Sequence, residues 1–203
     1  MDMQLPSHDW PELAPGWVWL CGAGPGDPGL LTLHAANALR QADVIVYDAL
    51  VHEGILDWAA AGAEKVYAGK RGGKPSANQR DISLHLVELA RAGKRVLRLK
   101  GGDPCIFGRA GEEAQWLAAR GILSETVNGI TAGLAGATRC GIPLTLRGMS
   151  RGVTLVTAHT RDDSELNWQG LAQGGTTLVV YMGVARLEQI QQGLLDGGMA
   201  AST

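Results

Sequence analysis

Short apolar runs that stop at glycine or aspartate recur along the first half of this chain. Trp17 to Cys21, Val44 to Tyr47, Arg95 to Leu99 and the weaker Lys65 to Ala68 have strand length and are bounded by turn formers. Between them the apolar positions change period. Leu30 to Gln41 places Leu31, Ala35, Ala38 and Leu39 on one helical face. Gln79 to Arg91 does the same with Ile82, Leu86, Leu89 and Ala90 before Gly93, and Gly111 to Arg120 is helical again. Buried strands alternating with amphipathic helices predict an α/β fold with a mainly parallel sheet and helices on both faces. Each glycine-rich loop in this stretch follows a strand, and open α/β sheets bind ligands outside those carboxyl ends.

After Gly121 the pattern restarts with different spacing. Glu125 to Val127, Val153 to Ala158 and Thr176 to Met182 read as strands, Ile130 to Cys140 and Val184 to Leu195 as helices, with Gly141-Ile-Pro143 as a break. This predicts an amino-terminal extension over residues 1–15, a first α/β domain over 16–122 and a second over 123–203. The second is expected to be truncated, because few strands precede the end at Thr203. A cleft between two such units is the default ligand site.

Composition narrows the class without choosing a function. With 203 residues, 45% hydrophobic and 19% charged, the chain can bury a sizeable core. A net charge of −2 supplies no global basic field to recruit nucleic acid or an anionic membrane, so an anionic ligand must meet a local cluster. Cys21, Cys105 and Cys140 are odd in number and widely spaced, which argues against a disulfide framework or a zinc knuckle. No metal site is expected. The first residues lack a basic and apolar leader pattern, and no apolar run reaches the roughly 18 residues of a membrane span. The expected location is the cytosol.

Two loops carry the chemistry. Gly24-Pro-Gly-Asp-Pro-Gly29 formally fits the dinucleotide pattern G-x-G-x-x-G between a strand and a helix. Pro25 and Pro28, however, have no N–H, so two donors that would cradle a pyrophosphate are missing. A ligand without phosphate suits this loop better, and S-adenosylmethionine is one. The second loop, Gly101-Gly-Asp-Pro-Cys-Ile-Phe-Gly-Arg-Ala-Gly-Glu-Glu113, puts Asp103 at a strand end behind two glycines that permit close approach. Arg109 lies at i,i+3 and i,i+4 from Glu112 and Glu113, so these side chains share one face if a helix begins near Arg109.

Gly22-Ala-Gly-Pro-Gly-Asp-Pro-Gly-Leu-Leu-Thr-Leu33 resembles the opening loop of the tetrapyrrole methylase superfamily. The run from Gly101 to Glu113 resembles the second signature of its uroporphyrinogen-III C-methyltransferase branch. Val46-Tyr-Asp-Ala-Leu-Val51, Gly69-Lys-Arg-Gly-Gly-Lys-Pro-Ser76, Gly129-Ile-Thr-Ala132 and Gly141-Ile-Pro-Leu-Thr-Leu-Arg-Gly148 are similar to further segments of that branch. The resemblance implies a two-domain homodimer that binds S-adenosyl-L-methionine between its domains, methylates two pyrrole carbons of uroporphyrinogen III and yields precorrin-2. It implies Pro25, Gly101, Gly102, Asp103, Ile106, Thr131, Ala132 and Met182 at the cofactor. It also implies Asp48 and Lys70 as acid/base groups, and Arg109 with Glu112 beside the substrate.

Uroporphyrinogen III is a polycarboxylate, and arginine forks bind carboxylates bidentately. Arg109, Arg147, Arg151, Lys70, Arg71 and Lys74 fall in the candidate loops, and His159 ends a strand where a carboxylate bond fits. The sequence departs from the family pattern at Cys105, Asn128, Leu146 and Ala158, none of them a nominated charge. The alternatives are a truncated remnant that only binds the cofactor, another precorrin methylase, and a dehydrogenase that Pro25 and Pro28 disfavour. The product would serve sirohaem, cobalamin or haem d1 synthesis.

Overall fold

The structure, a computed structural model, describes residues 5–69, 79–159 and 166–203. The chain forms two compact units, Met1–Ala132 and Gly133–Thr203. In the first, β1 (Val18–Gly22), β2 (Val44–Tyr47), β3 (Glu64–Tyr67), β4 (Val96–Lys100) and β5 (Ser124–Val127) make one sheet in the order β3-β2-β4-β1-β5. Every pairing in it is parallel. The expected parallel α/β sheet is present, with β5 as its fifth strand. The boundary placed near residues 122 and 123 therefore moves to 132 and 133, since β5 hydrogen-bonds to β1 and cannot open a separate unit.

The strands are buried on both faces, as parallel strands with helices on each side must be. Alternate residues point to opposite faces. Trp19, Cys21, Ile45, Leu97 and Leu99 pack with Ala35, Ala38 and Leu39 of α1 (Leu33–Gln41). Val18, Leu20, Val44, Val46 and Val96 pack with Leu86 of α2 (Gln79–Arg91) and Leu117 of α3 (Ala110–Ala118). Neighbouring strands β1 and β4 thus send their following helices to opposite faces, the arrangement that opens a crevice at the carboxyl edge of an α/β sheet.

Helix α1 starts later than the pattern implied. Pro28–Leu30 forms a single 3-10 turn, and Thr32 then caps the helix by accepting the Ala35 N–H. The extension expected over residues 1–15 is tied to this unit at its end: Leu13 is fully buried, and Asn37 and Gln41 donate to the Pro11 carbonyl. The second unit contains α4 from Gly133 on (Ala132–Arg139), the parallel pair β6 (Val153–Thr157) and β7 (Thr177–Tyr181), and α6 (Leu187–Asp196). It also has α5 (Trp168–Gln173), which the periodicity did not predict and which Asn167 caps by accepting the Gly170 N–H.

At the amino ends of β2 and β4, Asp43 accepts the Arg95 backbone N–H at 2.8 Å and receives Nη2 of the same residue at 2.6 Å. These bonds, the side-chain one first, hold the Asp43 carboxyl below the usual carboxylate range. A depressed carboxyl stabilises the fold above the unfolded value of about 3.9 and stops doing so as pH falls through the folded one. Asp43→Asn should lower stability by about 1 kcal/mol at neutral pH, the partly exposed pair being screened. In urea titrations the gap between the two proteins should close below about pH 4; a gap that persists in acid would assign the effect to packing.

Candidate functional site

Three strand ends converge where the sequence places glycine. An added Cβ on Gly22 would lie 2.6 Å from the Gly102 carbonyl oxygen and 2.6 Å from the Gly129 Cα, and one on Gly129 would strike the same Gly102 oxygen. Side-chain-free backbone lets the ends of β1, β4 and β5 meet. The first two loops then bond to each other. Gly102 donates to the Gly24 carbonyl at 2.7 Å, and Gly24 donates back to Gly102 at 3.1 Å. Gly29, Leu30 and Leu31 also donate within the first loop, to Asp27 and Pro28. With Pro25 and Pro28 lacking donors altogether, few amides remain to cradle a phosphate.

Asp103 is buried and works first as a staple. One carboxylate oxygen accepts the Cys105 N–H at 2.8 Å; the other accepts Gly129 N–H at 3.1 Å and Asn128 Nδ2 at 3.3 Å. Its carboxylate thereby fixes the loop after β4 to the loop after β5. Between Asp103 and α3 the chain turns through two non-glycine residues in the left-handed region, Phe107 at φ 52° and Arg109 at φ 60°. Such conformations persist only where the surroundings impose them, and they cluster at ligand sites. Ile106 is half-buried and Phe107 is exposed in this turn.

Arg109 and Glu112 meet as expected, through Nε to Oε1 at 3.0 Å and Nη2 to Oε2 at 2.6 Å, both side chains exposed. The Glu112 carboxylate raises the guanidinium pKa above its ordinary value, so the arginine stays charged. Glu113 does not share that face. Arg109 is the N-cap and α3 begins at Ala110, which turns Glu113 inward until its side chain is fully buried.

There Glu113 meets two cations that the sequence reading passed over. Lys100 Nζ donates to Glu113 Oε2 at 2.9 Å and Arg98 Nε to Oε1 at 3.4 Å. Arg98 Nη1 also donates to the carbonyls of Val46 and Leu99. Both cations alternate along β4 with Leu97 and Leu99, so they point to the α3 face. Burial first, then the nearby Arg98 charge, pushes the Lys100 pKa down, against the pull of Glu113. Beyond them, Arg98 Nη2 lies 3.7 Å from Asp48 Oδ2, while Asp48 Oδ1 accepts the Leu50 N–H. Asp48 is therefore both a turn cap and one end of a charge chain. A Cβ on Gly101 would sit 2.5 Å from that of Leu50, so the loop after β4 abuts the one after β2.

The structure brings Asp48, Gly101, Gly102 and Asp103 to one edge of the first sheet. Lys70, with Arg71 and Lys74, lies outside the described residues. Pro25 is half-buried in the first loop; Thr131 is buried and Ala132 exposed after β5. In the second unit Met182 ends β7 at φ 55° and is 56% exposed, which removes a role as core filler. Arg147 is exposed in the tight turn closed by Leu146 and Ser150, and exposed His159 follows β6. Among the described residues no three His, Cys, Asp or Glu side chains gather as a metal site.

A parallel sheet with a crevice between β1 and β4, closed by glycine backbones and short of free amides, defines an α/β enzyme class suited to a nucleoside without a pyrophosphate. Residues 18–202 match the family model of the Tetrapyrrole (Corrin/Porphyrin) Methylases, and the chain belongs to that family. It is 66% identical over 188 residues to the Uroporphyrinogen-III C-methyltransferase of Pseudomonas aeruginosa, spanning 93% of this chain and 76% of the relative. It is 60% identical to the enzyme of that name from Pseudomonas fluorescens, over 92% of this chain and 75% of that one. Among solved structures it is similar to the Thermus thermophilus uroporphyrin-III C-methyl transferase complexed with S-adenyl homocysteine. That match has a TM-score of 0.77 at 42% identity and covers 91% of this chain and 78% of the other.

Removing one partner of the buried cluster should be severe. Glu113→Gln leaves Arg98 and Lys100 without their counter-charge, a change that costs about 3–5 kcal/mol in such settings. The lysine pKa, already depressed, falls further in the variant, so its stability deficit should shrink as pH rises toward the ordinary lysine value near 10.4. Urea midpoints at neutral and alkaline pH test this; a deficit independent of pH would place the loss elsewhere.

Proposed function

We propose that this chain transfers methyl groups from S-adenosyl-L-methionine to two pyrrole carbons of uroporphyrinogen III, giving precorrin-2. The observation that carries the reading is the 66% identity to a uroporphyrinogen-III C-methyltransferase across 93% of the chain. The loop geometry is consistent with it. The donor's sulfonium already activates the methyl group, so the protein's tasks are to position the two partners and exclude water. An electron-rich pyrrole carbon forms the new bond to the methyl carbon, the sulfur–methyl bond breaks, S-adenosylhomocysteine leaves, and the macrocycle gives up a proton.

Within this proposal Pro25, Gly101, Gly102, Asp103, Ile106, Thr131, Ala132 and Met182 contact the methyl donor. Asp48 and Lys70 handle the proton. Arg109, Glu112, Arg147 and His159 face the substrate carboxylates. Support for Asp48 comes from its position at the end of β2 beside Gly101, and support for Arg109 from a charged fork on an exposed, conformationally imposed turn. The further expectations are a homodimer in the cytoplasm serving sirohaem, cobalamin or haem d1 synthesis. No helix among the described residues is long and apolar enough to cross a membrane.

Incubation with uroporphyrinogen III and S-adenosyl-L-methionine, followed by mass spectrometry, should show a gain of two methyl groups on the tetrapyrrole. S-Adenosylhomocysteine binding with no methyl gain would leave only a cofactor-binding protein. Arg109→Lys keeps the charge but loses the fork, and should lower turnover by about tenfold or more. S-Adenosylhomocysteine affinity, read by calorimetry, should stay nearly unchanged; a large loss there would move Arg109 to the cofactor side.

A further inference from the structure

The geometry points to Arg98 as a positioning residue for the reaction, one that acts through Asp48 and joins it to the buried Glu113–Lys100 pair beneath the loop after β4. The inference rests on the reading of Asp48 as an acid/base group. Arg98 is only 3% exposed and cannot touch a substrate. Its guanidinium nevertheless fans out to three elements. Nε reaches Glu113 on α3, Nη1 the Val46 carbonyl on β2, and Nη2 the Asp48 carboxylate just past β2. No other residue type offers donors in a planar fork able to span these directions.

The balance of charge favours a built device. Two cations, Arg98 and Lys100, face two anions, Glu113 and Asp48, and the only member with appreciable exposure is Asp48 at 24%. An ion pair used for stability alone could be replaced by apolar packing, as buried pairs often can. This one ends instead on a carboxylate at the sheet's ligand-binding edge. Asp48 Oδ1 is oriented by the Leu50 N–H and Oδ2 by Arg98, so both oxygens are set before any ligand arrives. Lys100 and Glu113 bracket the chain from Gly101 to Glu112, so the cluster also ties that loop's two ends together.

A double-mutant cycle on the full chain tests the assignment. Arg98→Lys keeps the charge and loses the fork; Asp48→Asn keeps the cap on Leu50 and loses the charge. Each should lower kcat by about tenfold or more, with the KM for S-adenosyl-L-methionine within about threefold of the parent. The double variant should be no slower than the slower single one, because the second change removes nothing further. Losses that multiply, or an Arg98→Lys enzyme with unchanged kcat, would overturn the assignment and leave Arg98 as scaffold. An Asp48→Asn enzyme with full activity would instead refute the acid/base reading of Asp48, and the role of Arg98 with it. Where Arg98→Lys folds poorly, the charge-balanced Arg98→Gln/Glu113→Gln pair takes its place and is read the same way.

Discussion

No Cβ can stand where β1, β4 and β5 end. Gly22, Gly102 and Gly129 bring three backbones within contact, and the rest of the first unit's ligand edge follows from that approach. Only with the strand ends so close can Gly24 and Gly102 exchange hydrogen bonds, and only then does the Asp103 carboxylate reach Gly129 and Asn128. The loops after β1, β4 and β5 become one rigid rim. A rim built from backbone–backbone bonds leaves few N–H groups pointing outward, which is why its glycines do not make a phosphate cradle despite their spacing.

Much of this was legible in the residues. Strand-length apolar runs ending at glycine identified the β-strands of the first sheet, and the missing amides of Pro25 and Pro28 separated the opening loop from a dinucleotide fingerprint. The Arg109–Glu112 pair followed from i,i+3 spacing. What escaped was long-range. Asp103 reads as a charge offered to a ligand, although an aspartate two residues before a backbone N–H is also an Asx turn, and the Cys105 bond is that turn. Glu113 reads as a second partner for Arg109 until the start of α3 is known. Arg98 and Lys100 were taken as the polar trim of a strand, although their alternation with Leu97 and Leu99 put them on a buried face. The boundary near residue 122 failed for a related reason: a change of pattern after Gly121 does not reveal that β5 returns to the far side of β1.

Two kinds of constraint therefore meet at the loop from Gly101 to Glu112. From above, its backbone is fixed to the neighbouring loops by glycine contacts and the Asp103 staple. From below, its ends are joined by Lys100 and Glu113. A segment held at both ends and along its length can keep Phe107 and Arg109 in left-handed conformations that a free loop would abandon, at about 1–3 kcal/mol for each. That is a physical reason for burying charge under this loop. An apolar cluster of equal volume would fill the space, but it would not fix direction, and the same guanidinium that locks α3 to β4 also aims the Asp48 carboxylate. The exposed arginine fork and the buried one do different work: the first stays charged at the surface, while the second sets the geometry on which a small, pre-activated methyl group depends.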